Sequence, residues 1–216
     1  NATNFSQPSC ALPGPYRVFR ITVDVFIITI LCLAGFLGNT MAILVLRTDT
    51  MHDTISFLLQ ALAVADNAYL VCCLFFQTVK AVTECTDWMP VLDSLYPYVE
   101  PYVWPFASIA QTSTVWLVML VTVDRYMAIS RPFETRLGSS VRVRKAISAL
   151  ILAAIIYNIP RFFEKYTVKR VHPCTRELLV VSLRTRLRKN KYYFIIYKTG
   201  PFLSAALSIF METKEE

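Results

Sequence analysis

The chain has 216 residues, of which 55% are hydrophobic and 17% charged, and its formal net charge is +7 at pH 7. The mean hydropathy is +0.47. The apolar residues form long blocks rather than the amphipathic stripes of a water-facing fold, so the composition argues against a soluble domain and predicts a membrane protein.

The first three membrane spans are predicted from blocks that contain almost no charge. A bilayer core about 30 Å thick needs roughly 20 helical residues. The first two blocks contain one charged residue each, Asp24 and Asp66, and the third block, Pro101–Val123, contains none. The corresponding spans are expected at residues 21–46, 55–79 and 99–129.

Two later blocks predict further spans at residues 141–160 and 192–211. The first of them reaches span length only if Val141–Lys145 join the helix and extend their basic side chains to the membrane surface. The second is interrupted by Lys198 and by Gly200-Pro201. Five spans are therefore expected.

The connecting segments determine the orientation of the spans. Glycosylation sequons at Asn1 and Asn4 favour an extracellular N-terminal segment. Five basic residues in the 130–145 loop support this orientation, whereas ten basic residues in the 161–191 loop oppose it. We retain the orientation because the first span usually sets it. The segments outside the spans are then 1–20, 80–98 and 161–191 on the extracellular side, 48–54 and 130–145 on the cytoplasmic side, and a C-terminal tail at 212–216.

The six cysteines divide into two sets of three. Those inside predicted spans are interpreted as small apolar packing residues. Those outside the spans face the oxidising side, where disulfides persist. We expect a disulfide between Cys85 and Cys174, with Cys10 as the alternative partner or as a free thiol, because sequence alone does not fix connectivity.

Three polar motifs occur in successive spans. Gly38-Asn39 lies late in the first span, Leu62-Ala63-x-x-Asp66 lies in the middle of the second, and Asp124-Arg125-Tyr126 ends the third. With these motifs in this order, the chain from about residue 20 to 211 resembles the rhodopsin-like G-protein-coupled receptors. The resemblance implies an all-α polytopic transmembrane helix bundle, with five spans of a seven-transmembrane fold. It also implies a plasma-membrane location among lipids and a heterotrimeric G protein as partner.

Three further motifs are similar to those of invertebrate FMRFamide-type neuropeptide receptors, which implies a peptide ligand. They are Ala110-Gln111-Thr112 with Val115-Trp116, Ile159-Pro160-Arg161-Phe162-Phe163-Glu164, and Leu187-Arg188-x-Asn190-x-x-Tyr193-x-x-x-Tyr197. Strand-like segments at Tyr166–Val171 and Leu178–Leu187 predict a β-hairpin in the second extracellular loop, whose edge could receive a peptide. Ala107 stands where amine receptors carry an aspartate, so a small amine would lack its anchor.

The chain departs from the family pattern at three points. Glu100 stands where the family has a cysteine, so Cys85 is expected to take over its bridging role. The fourth span lacks the family's common tryptophan, and the sequence ends at Glu216, before a sixth and a seventh span. The last point leaves a second hypothesis open: a non-signalling membrane protein that pairs with or depletes a complete receptor.

The resemblance also assigns roles to the polar residues of the spans. Asp124 is expected to pair with Arg125 in the resting state, and release of that pair would let Arg125 engage the G protein. A lone carboxylate at Asp66 is costly in a membrane unless it is compensated, and Asn39 and Thr114 can supply hydrogen bonds. Similar receptors hold an allosteric sodium ion in such a cluster, and no other cofactor is expected.

Carboxylates at the mouth of the bundle are expected to be counter-charges for a cationic peptide; the candidates are Glu84, Asp87, Asp93, Glu100 and Glu164. The basic run Arg184–Lys191 is interpreted as a solvated loop or a headgroup contact, so no nucleic-acid partner is expected. His52 and His172 lie on opposite sides of the bilayer and predict no metal site. The chain has no nucleophile elbow and no phosphate-binding glycine loop, so no enzyme activity is expected.

Overall fold

The computed structural model describes residues 14–48, 54–85, 90–130, 140–171, 178–193 and 195. Within this part of the chain, four helical segments are long and apolar enough to cross a membrane: Ile21–Thr48, Ile55–Val82, Leu95–Ser130 and Val141–Phe163. They confirm the expected architecture of a membrane-spanning helix bundle. The predicted fifth span, 192–211, lies outside the described residues except at its first positions.

The first span is built from a π-helical segment (Ile21–Ile27) and α2 (Ile28–Thr48), and the short helix α1 (Gly14–Arg20) precedes it. The second span is built from α3 (Thr54–Leu74), a π-helical segment (Phe75–Val79) and α4 (Lys80–Cys85). A π-helical turn disturbs the regular backbone ladder and leaves carbonyl groups that need other donors. The hydroxyl of Thr78 donates to the Asp24 carbonyl at 3.3 Å and lies 2.8 Å from the Thr29 hydroxyl, so a chain of hydroxyls joins the two segments.

The third and fourth spans are α5 (Pro90–Ser130) and α6 (Ser140–Asn158), and a 3₁₀ turn (Ile159–Phe163) follows α6. The central helix α3 packs against α2, α5 and α6. Small residues permit close packing: a Cβ at Gly35 would lie 3.0 Å from a methyl group of Leu70. Most large apolar side chains of α2 face outward, including Leu31, Leu37 and Val45, as expected where lipid rather than protein surrounds a helix.

Helix α5 begins at Pro90, nine residues before the expected start of the third span, and continues through Pro97, Pro101 and Pro105. Each proline lacks the N–H that would bond the carbonyl four residues earlier. The Pro97 carbonyl therefore has no helical donor at Pro101, and the Thr167 hydroxyl donates to it instead at 2.7 Å. A contact from outside the helix thus compensates for a proline inside it.

The predicted hairpin is present. Strand β1 (Lys165–Val171) pairs antiparallel with β2 (Leu178–Arg184), with Lys165 opposite Arg184 and Val168 opposite Val181. The second strand is shorter than expected, because the chain turns at Thr185 into the short helix α7 (Arg186–Lys189). At this turn the Thr185 N–H donates to the Glu164 carbonyl at 2.9 Å and its hydroxyl donates to the Phe163 carbonyl at 2.8 Å, which closes the base of the hairpin.

Candidate functional site

The carboxylate of Glu164 is buried at the base of the hairpin, with 2% of the residue exposed. Its Oε2 atom accepts hydrogen bonds from Trp104 Nε1 at 2.9 Å and Arg188 Nη1 at 2.6 Å. Its Oε1 atom accepts one from the Tyr193 hydroxyl at 2.9 Å and lies 3.8 Å from Arg161 Nη1. A buried carboxylate is stable only when donors and opposite charge surround it, and both are supplied here.

These contacts join two motifs that the sequence shows only separately. One motif ends at Glu164, and the other contains Arg188 and Tyr193. The sequence suggested Glu164 as a counter-charge for a ligand. In the structure its carboxylate is neutralised within the chain and offers no free charge, because residues from α5, the 3₁₀ turn and the segment after β2 enclose it.

A second ion pair lies beside the first. Lys165 Nζ is 2.6 Å from Glu100 Oε1, and the two side chains are 11% and 12% exposed. The same ammonium group lies 4.7 Å from the centre of the Trp104 ring and 5.3 Å from that of Phe76. Burial lowers the pKa of Lys165, and the hydrogen bond and charge of Glu100 oppose that shift. We call these four residues, Phe76, Glu100, Trp104 and Lys165, the cation cage.

Aromatic rings link the cation cage to the second span. Phe76 meets Trp104 edge to face with ring centres 5.5 Å apart, and the neighbouring Phe75 stacks on Tyr96 at 5.5 Å. The guanidinium of Arg188 also lies 4.4 Å from the Trp104 ring centre. Offset and edge-to-face ring pairs stabilise such clusters, as do cations over ring faces. This end of the bundle is therefore rich in aromatic faces and in charged groups that balance one another.

Several predicted site residues lie outside the described part of the chain or have side chains that are not described. They comprise the sequon residues Asn1 and Asn4, the cysteines Cys10, Cys85 and Cys174, and the carboxylates Glu84, Asp87 and Asp93. The expected disulfide and the ligand role of the five carboxylates stay predictions.

The predicted polar cluster in the membrane is present in part. The Thr114 hydroxyl donates to Asp66 Oδ1 at 2.8 Å, as expected from their similar depth. No hydrogen bond from Asn39 to Asp66 occurs among the described residues. The link between these helices is made one position further along each: the Asn67 amide donates to the Thr40 hydroxyl at 3.2 Å.

At the other end of α5, Asp124 is half-buried while Arg125 and Tyr126 are exposed. Within the described ranges, no ion pair joins Asp124 to Arg125. Arg125 follows Glu100 by 25 residues of one helix, which corresponds to about 38 Å at 1.5 Å per residue. The cation cage and Arg125 therefore lie at opposite ends of the membrane span.

Helices α5 and α6 are joined by a polar contact that the sequence did not reveal. Asn158 is fully buried, and its amide donates to the Thr112 hydroxyl at 3.1 Å and to the Ala154 carbonyl at 2.8 Å. Trp116, one turn along α5 from Thr112, contacts Tyr157, the neighbour of Asn158 on α6, with ring centres 6.0 Å apart. The motif that contains Thr112 and Trp116 thus forms a helix–helix contact. An asparagine in an apolar segment was the available signal, because such residues often bond across helices in membranes.

Comparison with known proteins agrees with this architecture. Residues 38–212 match the family described as 7 transmembrane receptor (rhodopsin family). The chain belongs to this family.

Among curated relatives of this rhodopsin-family chain, the FMRFamide receptor of Drosophila melanogaster is 28% identical over 79% of the chain and 32% of the relative. The FMRFamide peptide receptor frpr-18 of Caenorhabditis elegans is 26% identical over 82% of the chain and 41% of the relative. The human galanin receptor type 1 is 28% identical over 66% of the chain and 40% of the relative. The chain thus spans less than half of the length of these relatives, and it resembles FMRFamide receptors as its motifs indicated.

Proposed function

We propose that this protein is a receptor for an FMRFamide-like neuropeptide that transmits peptide binding to a heterotrimeric G protein. The observation that carries the proposal is the convergence of two FMRFamide-receptor motifs on Glu164. Their contacts fix the hairpin against the start of α5. A fixed hairpin presents a strand edge and an aromatic, charged surface to an extended peptide.

The ligand end of this receptor is the hairpin end. Ala107 is buried one turn below Trp104, so the amine-receptor position provides no carboxylate there. Aromatic rings and compensated charges suit a peptide that carries both cationic and aromatic side chains. The names of two relatives state that they are receptors for FMRFamide peptides, which supports this ligand class.

The same arrangement supports an orientation of the chain in the plasma membrane. We propose that the N-terminus, the hairpin, glycans at Asn1 and Asn4 and a Cys85–Cys174 disulfide are extracellular. Ten basic residues in the hairpin loop count against this orientation. Three of them, Arg161, Lys165 and Arg188, are paired with Glu164 or Glu100 in the folded protein, which supports a structural reason for part of that charge.

The G-protein end of the receptor is the end of α5 that carries Arg125. Its guanidinium is exposed and always charged, so it can bind the backbone carbonyls of a docking partner. We propose that peptide binding near the hairpin shifts the bundle toward a state in which Arg125 engages that partner.

The polar cluster in the membrane has a proposed role in the same switch. The Asp66 carboxylate and the Thr114 hydroxyl supply oxygen ligands of the kind that hard cations prefer. Their donor types fit a sodium ion, which would neutralise the carboxylate and stabilise one state of the bundle.

The proposed function is tested by expressing the complete gene product in cells with calcium and cyclic-nucleotide reporters and adding a panel of amidated FMRFamide-like peptides. At least one peptide should give a response that Arg125→Ala abolishes. The matched control, Arg142→Ala, changes an exposed arginine on α6 and should leave the response intact. No response across the panel at confirmed surface expression would refute the ligand class, and a full response from Arg125→Ala would refute the role of that residue.

A further inference from the structure

The ammonium group of Lys165 is held in a cage that would suit other cations equally well. Glu100 supplies a carboxylate at 2.6 Å, and the rings of Trp104 and Phe76 lie within 4.7 and 5.3 Å. A carboxylate combined with aromatic faces is the usual protein environment for binding an organic cation. Glu100, Trp104 and Phe76 thus form a cation-binding site, and the ammonium group of Lys165 occupies it.

The buried carboxylates of Glu164 and Glu100 differ in how easily another cation could replace their partners. Glu164 is bonded by side chains from several elements, so its removal would release the whole base of the hairpin. In the described part of the chain, Glu100 pairs with Lys165 alone. Lysine carries its charge on a flexible four-carbon stem and can swing away without a change of backbone. The Glu100 carboxylate can therefore exchange its partner, whereas that of Glu164 cannot.

Holding the Lys165 ammonium group in this site also costs free energy. Its burial disfavours the ammonium form and lowers its pKa, so part of the gain from Glu100 and the rings is spent on desolvation. A guanidinium is more weakly hydrated and stacks on rings as a plane. Trp104 already accepts one, since Arg188 lies 4.4 Å from its ring centre.

We propose that Glu100, Trp104 and Phe76 form the site that binds a cationic side chain of the peptide ligand, and that Lys165 occupies this site as a tethered competitor before the peptide arrives. The inference rests on the proposed function of a peptide receptor. It goes further in assigning the ligand group, a guanidinium, and the step by which it enters: the peptide cation replaces Lys165, whose ammonium group moves to water.

The first experiment removes the competitor. Lys165→Gln in the complete receptor should lower the half-maximal concentration of an active arginine-containing peptide by about tenfold, because the peptide no longer displaces an internal charge. Lys145→Gln is the control: Lys145 is an exposed lysine near the start of α6, away from the hairpin, so its replacement should leave the potency unchanged. An unchanged or higher half-maximal concentration for Lys165→Gln, at normal surface expression, would overturn the proposal.

The second experiment tests the charge of the ligand and avoids an unpaired buried group. Citrulline has the shape of arginine without its charge, so a citrulline peptide should be at least about tenfold weaker on the unmodified receptor. On the double variant Glu100→Gln/Lys165→Gln, which buries no charge in the cage, the arginine and citrulline peptides should be equally potent. A preference for arginine that persists in the double variant would place the cation site elsewhere.

The two proposals fail in different ways. If the unmodified receptor responds to no amidated peptide, the proposed function fails. If it responds equally to the arginine and citrulline peptides, the receptor function stands and the cation site is refuted. Surface expression of every variant is measured with an antibody to an N-terminal tag.

Discussion

At the scale of single residues, Glu164 determines how the hairpin is attached. Its carboxylate receives an indole N–H, a guanidinium and a phenol within 2.6–2.9 Å. Removing one partner of such a buried pair costs more than removing both, because the remaining charge is left without compensation. Replacing one partner of the pair should therefore destabilise the protein more than replacing both.

We predict that Glu164→Gln lowers the free energy of unfolding by about 3–5 kcal/mol, because Arg188 stays buried without its counter-charge. The measurement is the thermal stability of the purified receptor in detergent. The double variant Glu164→Gln/Arg188→Gln should recover part of the loss. If the double variant loses as much as the sum of the two single variants, the pair is not coupled and the account of this cluster is wrong.

A second residue-scale prediction concerns Asp66. If its carboxylate and the Thr114 hydroxyl hold sodium, peptide potency should change when sodium is replaced by a large organic cation, and Asp66→Asn should remove that dependence. Thr114→Val keeps the carboxylate and should weaken the dependence without abolishing it. If the potency of the peptide on the unmodified receptor does not depend on sodium, the proposed sodium site is excluded.

The sequence predicted one contact of Asp66 correctly and one wrongly, for a geometric reason. Thr114 was matched to Asp66 because positions along two spans fix depth. Asn39 was expected in the same cluster, yet the structure uses Thr40 with Asn67 instead. One residue corresponds to a rotation of about 100° around a helix, and a motif in one chain does not determine how each helix is rotated.

At the scale of secondary-structure elements, the start of α5 depends on the hairpin. Pro97, Pro101 and Pro105 recur every four residues, so each removes the donor that would satisfy a carbonyl on the same helix face. The charge-free block predicted a shorter helix that begins at residue 99. The helix nevertheless extends back to Pro90, and a distant hydroxyl on β1 satisfies the Pro97 carbonyl. Such compensation across 70 residues cannot be read from local pattern.

The dependence of α5 on the hairpin can be tested by a double-mutant cycle. Thr167→Val should lower the free energy of unfolding by about 1 kcal/mol, because the Pro97 carbonyl loses its donor. In a Pro101→Ala background the restored backbone N–H can bond that carbonyl, so the same Thr167→Val change should cost much less. Thermal stability in detergent measures all four proteins. An equal cost in both backgrounds would show that the threonine acts through another contact.

The hairpin itself was predictable, since two segments that each contain two valines lie on either side of Pro173-Cys174 in the sequence. The C-terminal end of its second strand could not be predicted. The second strand was expected to continue to Leu187, but Thr185 bonds the carbonyls of Phe163 and Glu164 and ends the ladder. Contacts between elements, rather than propensity, determine where this strand stops.

At the scale of the whole molecule, one continuous helix separates the two proposed ends of the receptor. The cation cage lies near the start of α5 and Arg125 lies about 38 Å further along it. The spans could be predicted from sequence because lipid demands long apolar helices whatever their partners. The pairing of charges beneath the hairpin could not, because it joins residues from three separate segments.

In the proposed receptor, the hairpin faces the outside of the cell and Arg125 faces the cytoplasm. The most direct measurement uses single cysteines introduced at two exposed positions, Lys169→Cys on β1 and Arg142→Cys on α6, and a membrane-impermeant thiol reagent on intact cells. We expect Lys169→Cys to gain labelling over the unsubstituted receptor, and Arg142→Cys to gain it only after the membrane is permeabilised. Labelling of Arg142→Cys in intact cells, with Lys169→Cys protected, would contradict this orientation.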